Sequence, residues 1–160
     1  MKANLYQIYF IIAAVLFLSP NMTMAQEKGR DCGESCFSTE VVSMEELDNG
    51  CLKYTILVST GGECAHALSH FSMDIPCGEV SQVTNSGDWK VAYGLDPTSG
   101  LNGFKIDDIQ SFGEDKLSNT FEVSFVLCPE NDCDAVALTC WQPEVAYKAS
   151  TCVYYEKVSV

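Results

Sequence analysis

Cys64, His66 and His70 are spaced Cys-x-His-x3-His, and these are side-chain types that ligate zinc or serve nucleophilic catalysis. Whether they can act together depends on the backbone that carries them. On a helix, His66 and His70 stand side by side, as in zinc-binding helices, and Ala67, Leu68, Phe71 and Ile75 share a face. On a strand, the odd positions from 65 to 75 are apolar except Ser69, and the even positions from 66 to 74 are polar except Leu68. The strand fits the alternation better, and Pro76 closes it. A strand rises about 3.3 Å per residue, which sets the two histidines roughly 13 Å apart. They then cannot share a metal that needs each nitrogen at about 2.0–2.1 Å. A Cys64/His66/His70 zinc site requires a helix or a sharply bent strand. The same geometry defeats a Ser-His-Asp arrangement from Ser69 or Ser72, His70 and Asp74, because neighbouring strand residues point to opposite faces.

Asp96, Asp107 and Asp108, with the carbonyls of the glycine-rich loop around them, offer hard oxygen ligands for calcium. Their spacing is not that of a calcium loop, however, and Asp96 before Pro97 is accounted for as a turn starter. The expectation is no cofactor, with calcium at Asp96, Asp107 and Asp108 or a metal at His66 and His70 as the alternatives. For binding, the candidates are Trp89, Tyr93, Asp96 and Trp141. The aromatic members could stack on a glycan or a partner protein, set against core packing, the commoner use of rings that bury so much area. No catalytic residue is expected. The chain has no Gly-x-Ser-x-Gly elbow, no His-Glu-x-x-His, no phosphate-cradling glycine loop with Lys and Ser or Thr, and no dinucleotide fingerprint. A carboxylate pair for sugar hydrolysis is a property of the fold and not of spacing in sequence.

The elements that must position these residues read as strands. Val41-Val42 predict a short strand, and Asp48-Asn49-Gly50 a turn. Residues 51–59 then alternate with Leu52, Tyr54, Ile56 and Val58 on one face, ending at Gly61-Gly62. Val80, Gln82 and Thr84 run into the tight-turn sequence Asn85-Ser86-Gly87-Asp88, from which Trp89, Val91 and Tyr93 emerge. Residues 94–103 are the most turn-dense stretch, and 112–119 form a polar connection with room for one helical turn. Residues 120–127 alternate with Phe121, Val123, Phe125 and Leu127 inward; 135–141 read as a further strand, followed by a Pro143 turn and one long terminal strand over 147–160. Roughly seven to nine short strands at regular spacing, with no helical periodicity, make an all-β fold. The expected architecture is an immunoglobulin-like or jelly-roll-like antiparallel β-sandwich.

A chain of 160 residues suits one ordinary domain, here placed at 36–160. Its 22 acidic against 9 basic residues give a formal charge of -13, a field that disfavours nucleic acid and anionic membrane surfaces as partners. Residues 1–25 read as a secretory signal peptide: Lys2, an apolar run over 8–18, Pro20, and Thr23-Met24-Ala25 before the cleavage point. That run falls short of the about 20 apolar residues a spanning helix needs. The mature chain is expected to start near Gln26 with a flexible segment over 26–35, to contain no membrane span, and to be secreted or held at the cell surface. The sequon-like Asn21-Met22-Thr23 falls within the removed part.

All nine cysteines, at 32, 36, 51, 64, 77, 128, 133, 140 and 152, belong to the mature chain. Disulfides are the default in an exported chain, and the paired C-x2-C knuckles of a zinc fold are missing. Pairing eight of nine allows about 945 arrangements. Closeness in sequence favours Cys128 with Cys133, Cys64 with Cys77, and Cys140 with Cys152. The odd cysteine leaves a free thiol or an intermolecular bridge.

The run HALSHFSMDIPCG, then GLDPTSGLNGFKIDD and the later FEVSF, resembles a β-sandwich domain of exported and cell-surface bacterial proteins, particularly of Bacteroidota, often found beside adhesion or anchoring modules. The resemblance covers most of the mature chain. It implies the location and the fold, with no assigned activity, and the lack of a recognisable C-terminal sorting domain favours a free secreted protein. The expected function is a non-catalytic extracellular binding, adhesion or structural module for a glycan or protein. The alternative is a small secreted hydrolase or metal-binding protein using His66, His70 and nearby carboxylates.

Overall fold

Period-two alternation decides the two central strands of one sheet. In the computed structural model, which describes residues 30–32, 34–61, 64–114, 119–130, 133 and 142–159, β3 (Leu52–Thr60) buries Leu52, Tyr54, Ile56 and Val58. Its partner β8 (Asn119–Cys128) buries Phe121, Val123, Phe125 and Leu127. The two strands pair antiparallel from Leu52↔Leu127 to Thr60↔Asn119, so both apolar rows fall on one face. With β2 (Phe37–Glu46) and β5 (Glu79–Asn85) they form a four-stranded sheet ordered β2-β3-β8-β5.

A six-stranded sheet packs against that face. It is ordered β1-β10-β9-β4-β7-β6, from β1 (Arg30–Asp31), β4 (Leu68–Asp74), β6 (Lys90–Leu95), β7 (Asn102–Asp107), β9 (Glu144–Ala149) and β10 (Cys152–Lys157). Every pairing in the two sheets is antiparallel except the two-residue β1–β10 ladder. The result is the expected disulfide-stapled all-β sandwich. Aromatic rings bridge its layers: Phe71 meets Phe121 edge to face at 6.4 Å between ring centres, and Phe104 meets Phe125 at 5.2 Å. Polar contacts also join the layers. The Tyr147 hydroxyl of β9 lies 2.6 Å from Thr39 Oγ1 of β2 and donates to Glu156 of β10, whose carboxylate also accepts the Thr39 N–H at 3.0 Å.

Several local expectations change. Val41 and Val42 belong to a strand of ten residues, because β2 is carried along the whole of β3. The single terminal strand is two: Ser150 adopts φ 56° and Ala149 pairs with Cys152, so Ser150-Thr151 form a two-residue hairpin turn between β9 and β10. The segment expected to be loose before residue 36 is held where Arg30 and Asp31 pair with Cys152 and Val153. The strand predicted over 65–75 starts at Leu68, leaving His66 outside it. Its register against β9 shifts between Leu68 and His70, a bulge that turns both Leu68 and the odd-numbered Phe71 and Met73 into the core. The leader over 1–25, the strand expected over 135–141, Trp141 and Cys140 lie outside the described residues.

The cysteines pair across the fold and not with their neighbours in sequence. The bridges are Cys32–Cys152, Cys36–Cys64, Cys51–Cys128 and Cys77–Cys133, which overturns the three sequence-local pairs. Cys51 precedes β3 and Cys128 ends β8, and the Leu52↔Leu127 pairing brings them together. Cys152 opens β10 beside β1, next to Cys32. Four bridges use eight of the nine cysteines, and the remaining one is Cys140.

Candidate functional site

Phe71 and Met73 point into the core, so His70 and Ser72 project from the opposite face of β4. There they meet Lys105 and Asp107 of β7 and are covered by the loop between β6 and β7. Asp96 is the hub of this cluster. Its Oδ2 accepts hydrogen bonds from Ser72 Oγ at 2.7 Å, Ser99 Oγ at 2.6 Å and the Ser99 N–H at 3.2 Å, and its Oδ1 accepts the Thr98 N–H at 3.1 Å. Lys105 Nζ stands 3.1 Å from Asp107 Oδ2 and 3.8 Å from Asp96 Oδ1. His70 sits between the two acids, with Nε2 3.5 Å from Asp96 Oδ2 and Nδ1 3.8 Å from Asp107 Oδ1. These are electrostatic contacts longer than a well-made hydrogen bond, and the buried Nε2 makes none.

Burial pushes the Asp96 carboxyl up. The neighbouring His70 imidazole, the Ser99 and Ser72 hydroxyls and the Thr98 N–H outweigh it, and the group lies well below the usual carboxylate range. The loop is fixed from several sides. Gly100 N–H donates to Asp96 O at 2.7 Å, Asp96 N–H to Leu101 O at 2.8 Å, and Tyr155 Oη to Ser99 O at 2.9 Å. Leu101 completes a small apolar patch with Ala146 and Val153.

The structure thus brings together His70, Asp96 and Asp107 from the residues singled out in sequence, but in the company of Lys105. An ammonium already sits against both carboxylates, and among the described residues no group of three His, Cys, Asp or Glu is placed to hold a metal ion. Ser72 gives its proton to Asp96 and not to His70. Asp96 is 2% exposed, Ser72 1% and His70 8%, while Lys105 and Asp107 are partly exposed and a small hollow of about 80 Å³ between Tyr93, Leu95 and Lys105 reaches Asp96. The geometry of the cluster is that of a clamp holding the β6–β7 loop on the sheet.

The other candidates are dispersed. His66 is exposed and lines a shallow hollow of about 370 Å³ with Cys64, Ala65, Ala67, Glu114 and Ser150, apart from the His70 cluster. Asp108 is exposed with φ 62°. Tyr93, on the edge strand β6, is 56% exposed, and its hydroxyl accepts the Val83 N–H of β5 at 3.2 Å. That N–H lies where β5 slips register against β8.

Trp89 is placed differently. The Asn85 side chain clasps the β5–β6 turn, donating from Nδ2 to Trp89 O and accepting the Trp89 N–H at Oδ1, both at 2.9 Å. Ser86 anchors the turn to β8: its N–H donates to Glu122 O at 2.9 Å and its Oγ accepts the Glu122 N–H at 3.0 Å. The indole lies against Gly87 so closely that a Cβ there would come within 2.5 Å of the ring. Phe121 meets it edge to face at 5.1 Å. The half-buried indole lines a groove of about 340 Å³ floored by Phe112 and Phe121 and walled by Ser86, Gln110, Ser111, Asn119 and Thr120. Trp89 and its turn were legible in sequence. Gln110, Ser111, Asn119 and Thr120 carried no signal, because they approach Trp89 only once β8 and the chain after β7 converge beside the turn.

The chain matches no protein-family model, and no curated protein or solved structure is significantly similar to it.

Proposed function

We propose that this chain is an exported, non-catalytic binding module that works outside the cell or at its surface. The observation that carries the reading is how the chemistry-bearing side chains are used. His70, Ser72 and Asp96 are buried and Asp107 half-buried; Ser72 and Ser99 are bonded to Asp96, Lys105 stands against both acids, and His70 lies between them, so the group holds a loop in place. The open groove beside Trp89 presents amide and hydroxyl groups and an indole, with no ionisable side chain among its described lining residues. Catalysis by general acid and base needs titratable groups within reach of the substrate; recognition needs a concave, partly apolar surface with a few placed polar groups.

Location is supported independently. Four disulfides in 160 residues belong to oxidising compartments, and the leader-like residues 1–25 precede all of them. Among the described residues no helix is long and apolar enough to cross a membrane.

The test is a ligand screen of the purified, oxidised mature chain against immobilised glycans and extracellular proteins, run beside ester, glycoside and peptide substrates. Retention of a ligand without turnover is the expected result. Turnover abolished by His70→Gln in a protein that remains folded would overturn the reading.

A further inference from the structure

We propose that the groove beside Trp89 binds a neutral glycan of one or two sugar rings, with the indole as the stacking platform; the proposal rests on the binding-module reading above. Three features of the groove converge on that ligand class.

The first is charge. The chain carries a formal -13, with 22 acidic residues, yet no described residue lining this groove ionises. An acidic sugar, phosphate or sulfate would find no cation among the described lining residues and would approach against the average field. A cationic ligand would find no carboxylate among those walls.

The second is the chemistry of the lining. Sugar rings present an apolar C–H face and a rim of hydroxyls. The indole of Trp89 and the phenyl edges of Phe112 and Phe121 supply an apolar surface. Around it, Gln110 and Asn119 each carry a carbonyl acceptor and an amide donor, and Ser111 and Thr120 each a hydroxyl, a set that can both give and take hydrogen bonds with one sugar's hydroxyls. All four side chains are exposed, and among the described residues none is committed to a hydrogen bond within the protein. At about 340 Å³ the groove stands at the small end of ligand sites, which sets the size of the occupant.

The third is preorganisation. Asn85 holds both the N–H and the carbonyl of Trp89, Ser86 ties the turn to β8, Gly87 backs the indole, and Phe121 abuts it. A tryptophan held by four separate contacts loses little freedom when a ligand arrives, so its apolar area is available for binding. The absence of a side chain at position 87 follows from this mounting, since any Cβ there would displace the ring.

The experiment uses the oxidised mature chain on an array of neutral and acidic glycans, followed by titration calorimetry with the retained sugars. Trp89→Ala should weaken binding at least about tenfold, as loss of an interface anchor does. Gly87→Ala keeps the indole but pushes it from its seat, and should give a loss of similar size. Gln110→Ala with Asn119→Ala should weaken binding while leaving stacking intact, and Tyr93→Ala, outside the groove, should leave it unchanged. Near-ultraviolet circular dichroism and the unfolding midpoint establish that each variant is folded. Failure of the folded protein to retain any neutral glycan, or binding that survives both Trp89→Ala and Gly87→Ala, overturns the proposal. If an acidic glycan or a protein is bound independently of Trp89, the groove assignment falls and the module reading stands. If turnover that depends on His70 is found in place of binding, both fall.

Discussion

Ser72 Oγ donates a 2.7 Å hydrogen bond to Asp96 Oδ2, joining the middle of β4 to the loop between β6 and β7. The same oxygen takes two more hydrogen bonds from Ser99. A carboxylate that is nearly inaccessible and accepts this many donors is stabilised in its charged form beyond what burial takes away.

That balance makes a pH prediction. Because the folded-state pKa of Asp96 is lowered, its contribution to stability is complete above the unfolded value of about 3.9 and is lost as pH falls below it toward the folded value. Asp96→Asn has no such titration. In urea unfolding of the two proteins, the stability difference should be constant from pH 7 to about 5 and should shrink progressively below about pH 4. Hydrogen bonds to charged groups are worth about 1.5–3 kcal/mol, so the neutral-pH gap should be readily measured. A gap that stays constant down to pH 2.5 would refute the assignment.

Tyr147 makes the second prediction. Burial and its hydrogen bond to Glu156 push the Tyr147 hydroxyl up, so it remains a donor throughout the working pH range. Removing that hydroxyl by Tyr147→Phe takes from Thr39 Oγ1 its partner and leaves the Glu156 carboxylate with the Thr39 N–H as its remaining contact between the sheets. The expected loss is about 1–3 kcal/mol. Thr39→Val combined with Tyr147→Phe should cost less than the sum of the single changes, because both remove the same contact. Additive costs would show that the two side chains do not act as a pair.

Gly103 tests how tightly β4 and β7 approach. A Cβ at that position would lie 2.4 Å from the Met73 carbonyl oxygen and 2.7 Å from Ile75 Cγ1. The first neighbour is backbone and cannot swing aside. Gly103→Ala should therefore destabilise by about 1–3 kcal/mol, the usual cost of overpacking. For a protein of this size each kcal/mol lowers the melting temperature by about 2–4 °C. An unchanged melting temperature would mean that the strands can separate at no cost.

What could be foreseen from sequence follows the range over which each feature is encoded. The rows Leu52, Tyr54, Ile56, Val58 and Phe121, Val123, Phe125, Leu127 announce themselves, because one strand face is written into a short run of consecutive residues. Leu68 breaks its row, and the physical reason, a bulge between Leu68 and His70, depends on pairing with β9 some eighty residues away. His70, Asp96 and Asp107 were recognisable as chemically capable, but their role was set by Lys105, whose ammonium turns an apparent ligand set into an ion-paired clamp. Trp89 and its turn could be seen, while the amide and hydroxyl walls of its groove come from segments that meet only in the folded sheet.

The cysteines show the same limit and supply the last prediction. Nearness in sequence favoured Cys128 with Cys133 and Cys64 with Cys77, whereas antiparallel pairing places the two ends of distant strands side by side. Peptide mapping without reduction should recover Cys32–Cys152, Cys36–Cys64, Cys51–Cys128 and Cys77–Cys133. Peptides linking Cys128 with Cys133 or Cys140 with Cys152 should be missing. Cys140 is then the one residue able to react with a thiol reagent after denaturation, or to link two chains through a reducible bridge. Replacing both Cys51 and Cys128 with serine opens a loop whose ends are 77 residues apart, and should cost about 2–4 kcal/mol, mostly by freeing the unfolded chain. A native map with any sequence-local pair, or a Cys51/Cys128 double variant as stable as the parent, would contradict the β3–β8 register that brings those two sulfurs together.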